Sequence, residues 1–205
     1  MPGMKWLSNP RSGTTVALGF DGSENNDWSA LRAETLDGYQ FTPVYGDDEL
    51  PSIWKPEEWG GQMPRAEVAA AVDEMFSRYD VARFYCDPQF WRTEVGEWAL
   101  KYGQERVFEW PTNSVNRMYD ALCRFSVDMN THRIRHDGCP ITTVAFANAA
   151  KANKPGDKYI LTKPSEHQKI DPVMASVLAH EAAMDATKAG YQRKKRTTII
   201  VFGGN

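Results

Sequence analysis

Cysteine is scarce in this chain: 205 residues contain three, Cys86, Cys123 and Cys139. They share no CxxC or Cys/His ligand spacing, which argues against a zinc site. The odd count argues against a disulfide framework and suits a reducing compartment. An excess of positive charge is also lacking. Lys and Arg number 24 against 27 Asp and Glu, a net charge of −3, which argues against a domain that holds nucleic acid by bulk electrostatics alone. It leaves room for an acidic site whose field is reversed by bound cations. No apolar run is long enough to span a membrane, and no secretory signal opens the chain. There is no Gly-x-x-x-x-Gly-Lys-Ser/Thr phosphate loop, no Gly-x-Ser-x-Gly elbow and no Gly-x-Gly-x-x-Gly turn, so the signatures of P-loop ATP hydrolysis, serine hydrolysis and dinucleotide binding are missing.

What the chain does have is apolar content, 41% hydrophobic and 12% aromatic, ample for the core of a single domain. Residues 1–13, rich in Pro, Gly and Ser, read as a linker or expression scar, residues 14–190 as the domain, and residues 191–205 as a basic tail. Residues 14–20 form a buried strand ending at Asp21. Residues 28–36 and 39–45, joined by the Asp37-Gly38 turn, complete an antiparallel meander. A loop over 46–62 follows. Pro64 opens a helix with Val68, Ala71, Val72, Met75 and Phe76 at helical spacing.

Residues 81–86 are a buried strand ending at Asp87. Helices are expected over 90–102, 113–130 and 141–150, and short extended pieces over 106–109, at Ile134 and over 159–162. Residues 152–157 are polar with a Lys-Pro-Gly turn. Asp171-Pro172 starts a last helix to about residue 189, with Asp171 as its N-cap. A basic cluster at 193–196 and a β-like run at 198–202 close the chain. This order predicts an α/β fold: a mixed sheet of three antiparallel strands followed by parallel strands, with helices on both faces. The strands ending at Asp21 and Asp87 are expected to lie parallel and adjacent, with their carboxyl ends at the edge where such sheets place their sites.

Three acidic motifs carry the chemistry: Gly19-Phe20-Asp21-Gly22-Ser23, Phe84-Tyr85-Cys86-Asp87-Pro88 and Lys169-Ile170-Asp171-Pro172. Each aspartate stands at the edge of an apolar run. Short carboxylates held close to the backbone suit hard divalent cations such as Mg²⁺ and Mn²⁺. Two such ions about 3.5–4 Å apart can clamp the attacking and leaving oxygens of a phosphodiester. Taken singly, Asp21-Gly22 and Asp87-Pro88 also read as turns and Asp171 as a cap. Asp27 reads as a turn residue or a further acidic neighbour. Lys158, Lys163, His167 and Lys169 are candidates for phosphate contact or support of the site, or are simply solvated. His180 reads as a helix-face residue, the basic cluster as a solvated end, and the tryptophans at 54, 59, 91, 98 and 110 as core or loop clasps.

The ordered set resembles tailed-phage terminase large subunits. VALGFDGSENNDWSA (16–30) resembles their first nuclease motif and FYCDP the second. HRIRHDGCPITTVAFANA (132–149) resembles the segment before the third, and KIDPVMASVLA (169–179) the third itself. The match covers residues 14–189. The resemblance implies an RNase H-like fold and a two-metal endonuclease, using Mg²⁺ or Mn²⁺, that cuts concatemeric double-stranded viral DNA during genome packaging. Asp21, Asp87 and Asp171 match the family's metal-binding carboxylates. The resemblance also implies an ATPase motor domain, absent from this chain, as well as a small terminase subunit, a portal, no membrane and the host cytoplasm. This chain would then be an excised C-terminal domain. Other RNase H-like nucleases, such as a junction resolvase, and a catalytically silent docking module of a packaging motor are the alternatives.

Overall fold

The computed structural model describes residues 6–24 and 26–191. The basic cluster at 193–196 and the run at 198–202 lie outside them. Strand β1 (Thr15–Asp21) pairs antiparallel with β2 (Ser29–Thr35), and β2 with β3 (Tyr39–Phe41). β4 (Val44–Tyr45) and β5 (Leu50–Pro51) form a separate pair, and β6 (Ile53–Trp54) returns to pair with β2. Helix α1 (Arg65–Arg78) leads into β7 (Asp80–Cys86), parallel to β1. Helix α2 (Arg92–Tyr102) leads into β8 (Val107–Glu109), parallel to β7. Then come α3 (Val115–Asn130), β9 (Arg135–His136) and α4 (Pro140–Asn148), a hairpin of β10 (Ala150–Lys154) and β11 (Lys158–Thr162), and α5 (Asp171–Lys188). The main sheet runs β8-β7-β1-β2-β3-β9, an α/β mixed sheet of the expected kind. The cysteines are free. No helix among the described residues is long and apolar enough to cross a membrane.

Three stretches differ from the sequence reading. The strand expected over 39–45 breaks, because Pro43 has no N–H for a ladder and Val44-Tyr45 turns away to pair with Leu50-Pro51. The loop expected over 46–62 contains β5 and β6. The polar stretch 152–157 supplies β10 and a turn in which Gly156 and Asp157 take left-handed φ values of 78° and 55°. Residues 7–13 are bonded to the domain: Leu7 N donates to Asp137 O at 2.9 Å, Asn9 Nδ2 to Thr42 O at 3.0 Å and Gly13 N to Arg78 O at 2.7 Å.

Two cores flank the sheet. Val16, Leu18 and Phe20 pack on one face with Val68, Val72 and Met75 of α1 and Val95 and Trp98 of α2. Ala17 packs on the other with Leu122 and Phe125 of α3 and Val177, Leu178 and Ala182 of α5. Each large side chain so buried contributes about 1.5–3 kcal/mol.

Helix α5 lies directly on β1. A Cβ at Gly19 would stand 2.2 Å from Ala175 O and 2.3 Å from Ala179 N, so only hydrogen fits between strand and helix. Buried polar contacts fix where along β2 and β3 the helix sits. Arg32 Nε donates to Ser176 Oγ at 3.0 Å, Gln40 Nε2 donates to Ser176 O at 2.9 Å, and His180 Nδ1 is 3.0 Å from Glu34 Oε1. His180 Nε2 stands 3.3 Å from Asp128 Oδ2, close enough for an ion pair but without hydrogen-bond geometry.

Gly19→Ala should therefore force α5 off the sheet. Overpacking of this kind costs about 2–3 kcal/mol, roughly 5–10 °C in melting temperature for a domain of this size. Thermal unfolding checks it, and an unshifted Tm contradicts the close contact.

Candidate active site

Strand parity aims the first two aspartates. Side chains alternate along a strand, so with Val16, Leu18 and Phe20 in the α1/α2 core, Ala17, Gly19 and Asp21 face α5. In β7 a register shift opposite Val16/Ala17 resets the alternation. Phe84 and Cys86 then join the α1/α2 core, while Tyr85 faces the α5 core. Asp87 follows on the same side as Tyr85. Phe20 pairs with Cys86 in parallel register, and Asp87 N donates to Phe20 O at 2.9 Å. Asp21 and Asp87 thus end adjacent parallel strands.

Asp171 arrives from above, about one turn of α5 before the contact at Gly19. It is the first residue of the helix, with Ile170 in the cap position, so it does not play the capping role the sequence suggested. The three aspartates line one open cleft of about 320 Å³, together with Asp27, Thr112 and Lys163.

The cleft is electrostatically unfavourable as it stands. Burial, and then the charges of Asp171, Asp87 and Asp27, raise the Asp21 carboxyl well above the usual range. Burial raises Asp171 to about 6, and Asp27 adds to the rise; a backbone amide, Lys163 and Lys169 oppose it. Asp87 is held in place, its carboxylate accepting from Thr112 Oγ1 and from Gln89 N. At the rim, burial raises Asp27, but bonds from Lys163 and Lys169 outweigh it and hold that carboxyl below its usual range. Lys169 Nζ lies 2.8 Å from Asp27 Oδ1, and Lys163 Nζ bonds the same oxygen.

Among the described residues, no three His, Cys, Asp or Glu side chains are arranged to hold an ion as they stand. The donor chemistry nevertheless suits a hard divalent cation: all oxygens, from three separate elements, with mutual repulsion that a cation relieves.

The other sequence candidates are distributed differently. Lys163 and Asp27 line the cleft, and Lys169 reaches it through Asp27. Lys158 instead donates to Asn116 Oδ1 of α3 at 2.6 Å, and His167 is exposed; neither lines the cleft. Trp54, Trp91, Trp98 and Trp110 are buried, and Trp59 is exposed. Thr112 was missed. Its position just past β8, the neighbour of β7, is the one signal that pointed to it.

The folded pKa of Asp171, about 6, lies above its unfolded value of about 3.9. The folded state therefore binds more protons between those limits, and ionised Asp171 lowers stability above about pH 6. His180 is raised by Glu34 and Asp128 against burial. Its stabilisation is complete below the unfolded pKa and lost as pH rises through the folded one, the same direction as Asp171. A comparison with Asp171→Asn isolates the aspartate. In metal-free buffer the variant should be roughly 1–3 kcal/mol more stable at pH 7.5, with the gap closing between pH 6 and 4. Denaturant titrations check this, and a gap independent of pH contradicts it.

No protein-family model matches the chain. It is 32% identical over 201 residues, 92% of its length, to the Gene 13 protein of Mycobacterium phage D29, of which it covers 32%. It thus spans about a third of the length of the curated relatives it matches. The crystal structure of the large terminase nuclease from thermophilic phage G20c superimposes with a TM-score of 0.64 at 13% identity, over 86% of this chain and 92% of that one. The same nuclease with bound magnesium gives a TM-score of 0.56 at 14% identity, over 86% and 91%. The chain has the fold of the phage large-terminase nuclease domain.

Proposed function

We propose that this chain is a divalent-metal-dependent endonuclease that cuts concatemeric double-stranded viral DNA during genome packaging, as the nuclease part of a longer large-terminase protein. The observation that carries the reading is the meeting of Asp21, Asp87 and Asp171, from three separate elements, in one cleft, where burial and then the charges of the other two raise the Asp21 carboxyl. The likeness to a terminase nuclease solved with magnesium supports it.

Asp21, Asp87 and Asp171 would hold two Mg²⁺ or Mn²⁺ ions, drawing closer as the cations offset their repulsion. Ions bound there would lower the pKa of the attacking water and neutralise the charge that builds on the leaving 3′ oxygen. Thr112 fixes the rotamer of Asp87 through its hydroxyl, so one ligand is set before a cation arrives. Asp27 holds Lys163 and Lys169 at the rim, where an incoming phosphate would compete for their ammonium groups. The remaining length of its relatives would supply the ATPase motor, and the small terminase subunit and portal would be its partners in the host cell.

Purified protein with Mn²⁺ and supercoiled plasmid tests the reading. Nicked and then linear DNA is expected. Chelation by EDTA, or Asp21→Asn, Asp87→Asn or Asp171→Asn, should reduce cleavage to background. Mn²⁺ should also stabilise the wild type, by about 2.7 kcal/mol at a concentration one hundred times Kd, and the Asn variants far less. Intact plasmid together with an unshifted Tm at millimolar Mn²⁺ contradicts the proposal.

A further inference from the structure

The turn between Asp87 and α2 holds an apolar side chain in an unfavourable way. Phe90 has a φ of +64°, in the left-handed region that bulky side chains avoid. The other non-glycine residues found there among the described ones, Glu49, His132 and Asp157, are all polar. The Phe90 side chain is also 53% exposed and lines the acidic cleft.

The residues around it are firmly held. Trp91 is fully buried, its ring centroid 4.9 Å from that of Phe20, and its Nε1 donates to Ser23 O at 3.0 Å. Arg65 NH2 donates to Phe90 O at 2.9 Å, while the Arg65 guanidinium lies 4.5 Å from the centre of the Trp91 ring and pairs with Glu94 at 2.5 Å. This clamp ties the turn after Asp87 to the turn after Asp21, with Trp91 driven inward and Phe90 outward. Backbone strain that brings no burial of the strained side chain is retained where the residue has work to do.

We propose that Phe90 is a DNA-positioning residue. Its ring packs against the deoxyribose of the nucleotide next to the phosphate bound at Asp21, Asp87 and Asp171, a surface that an intact duplex leaves open. This rests on the nuclease reading above. Contact of this kind tolerates any sequence, because every nucleotide presents the same sugar. The lysines at the same rim favour a polyanion over an apolar protein partner.

The experiment measures three quantities for wild type, Phe90→Gly and Phe90→Trp: Tm, Kd for a labelled duplex in Ca²⁺, and KM and kcat for cleavage in Mn²⁺. Glycine accepts a φ of +64° without strain, so Phe90→Gly should melt at or above the wild-type temperature. Its Kd and KM should rise several-fold, with a smaller change in kcat. Phe90→Trp should restore binding. Wild-type affinity in Phe90→Gly overturns the proposal. A lowered Tm with loss of the Mn²⁺-induced stabilisation also overturns it, since the ring would then be a packing element. A wild type that neither binds nor cuts DNA brings down the nuclease reading itself.

Discussion

The contact between Gly19 and the backbone of α5 is the constraint from which the cleft is built. With no Cβ in the way, the helix rests on β1 at Ala175 and Ala179. Its first residue, Asp171, then arrives above the end of the strand that finishes in Asp21. A larger residue at position 19 would lift the helix and move one carboxylate away from the other two. Ser176 and His180, bonded to Arg32 and Glu34 of β2, stop the helix from sliding along its own axis. Removing one member of such a buried charged set leaves its partner uncompensated, at a cost of about 3–5 kcal/mol. The register of α5 is thus defended from the side of β2 and its distance from the sheet from the side of β1.

The cleft is costly to the stability of the fold. Asp21 is half-buried beside three other carboxylates, and Asp171 is raised to about 6 by burial. An apolar residue at either place would fold more comfortably. Two lysines stand at the rim, and both are turned toward Asp27. Local positive charge is therefore held in reserve at the edge, and the interior repulsion is left for something from outside to relieve. The rim thus carries two ammonium groups on one carboxylate, in a chain of net charge −3.

Much of this was legible in the sequence because it is local. Apolar runs ending at Asp21 and Asp87 marked two strands, and Pro172 marked the first turn of the last helix. The preference of α/β sheets for sites at carboxyl strand ends suggested that Asp21 and Asp87 would be neighbours, and the parallel pairing of β1 with β7 agrees. What escaped was set by contacts between distant residues. β10 has the sequence AKANK, with no large apolar residue, and is a strand only because β11 pairs with it. β6 is two residues long and depends on β2. Lys163 and Lys169 meet Asp27 across 136 and 142 residues, which no spacing rule reaches. Asp171 looked like a cap because Asp-Pro so often begins a helix. It proved to be one residue further in, leaving its carboxylate available to the cleft.

Under the proposed function these three carboxylates share divalent cations. Crystals of the chain grown or soaked with Mn²⁺, measured at a wavelength where manganese scatters anomalously, test it most directly. Anomalous density is expected between the carboxyl groups of Asp21, Asp87 and Asp171, drawn closer together than in the metal-free protein. Crystals saturated with Mn²⁺ that show no density in that cleft, or ions bound only elsewhere, would contradict it.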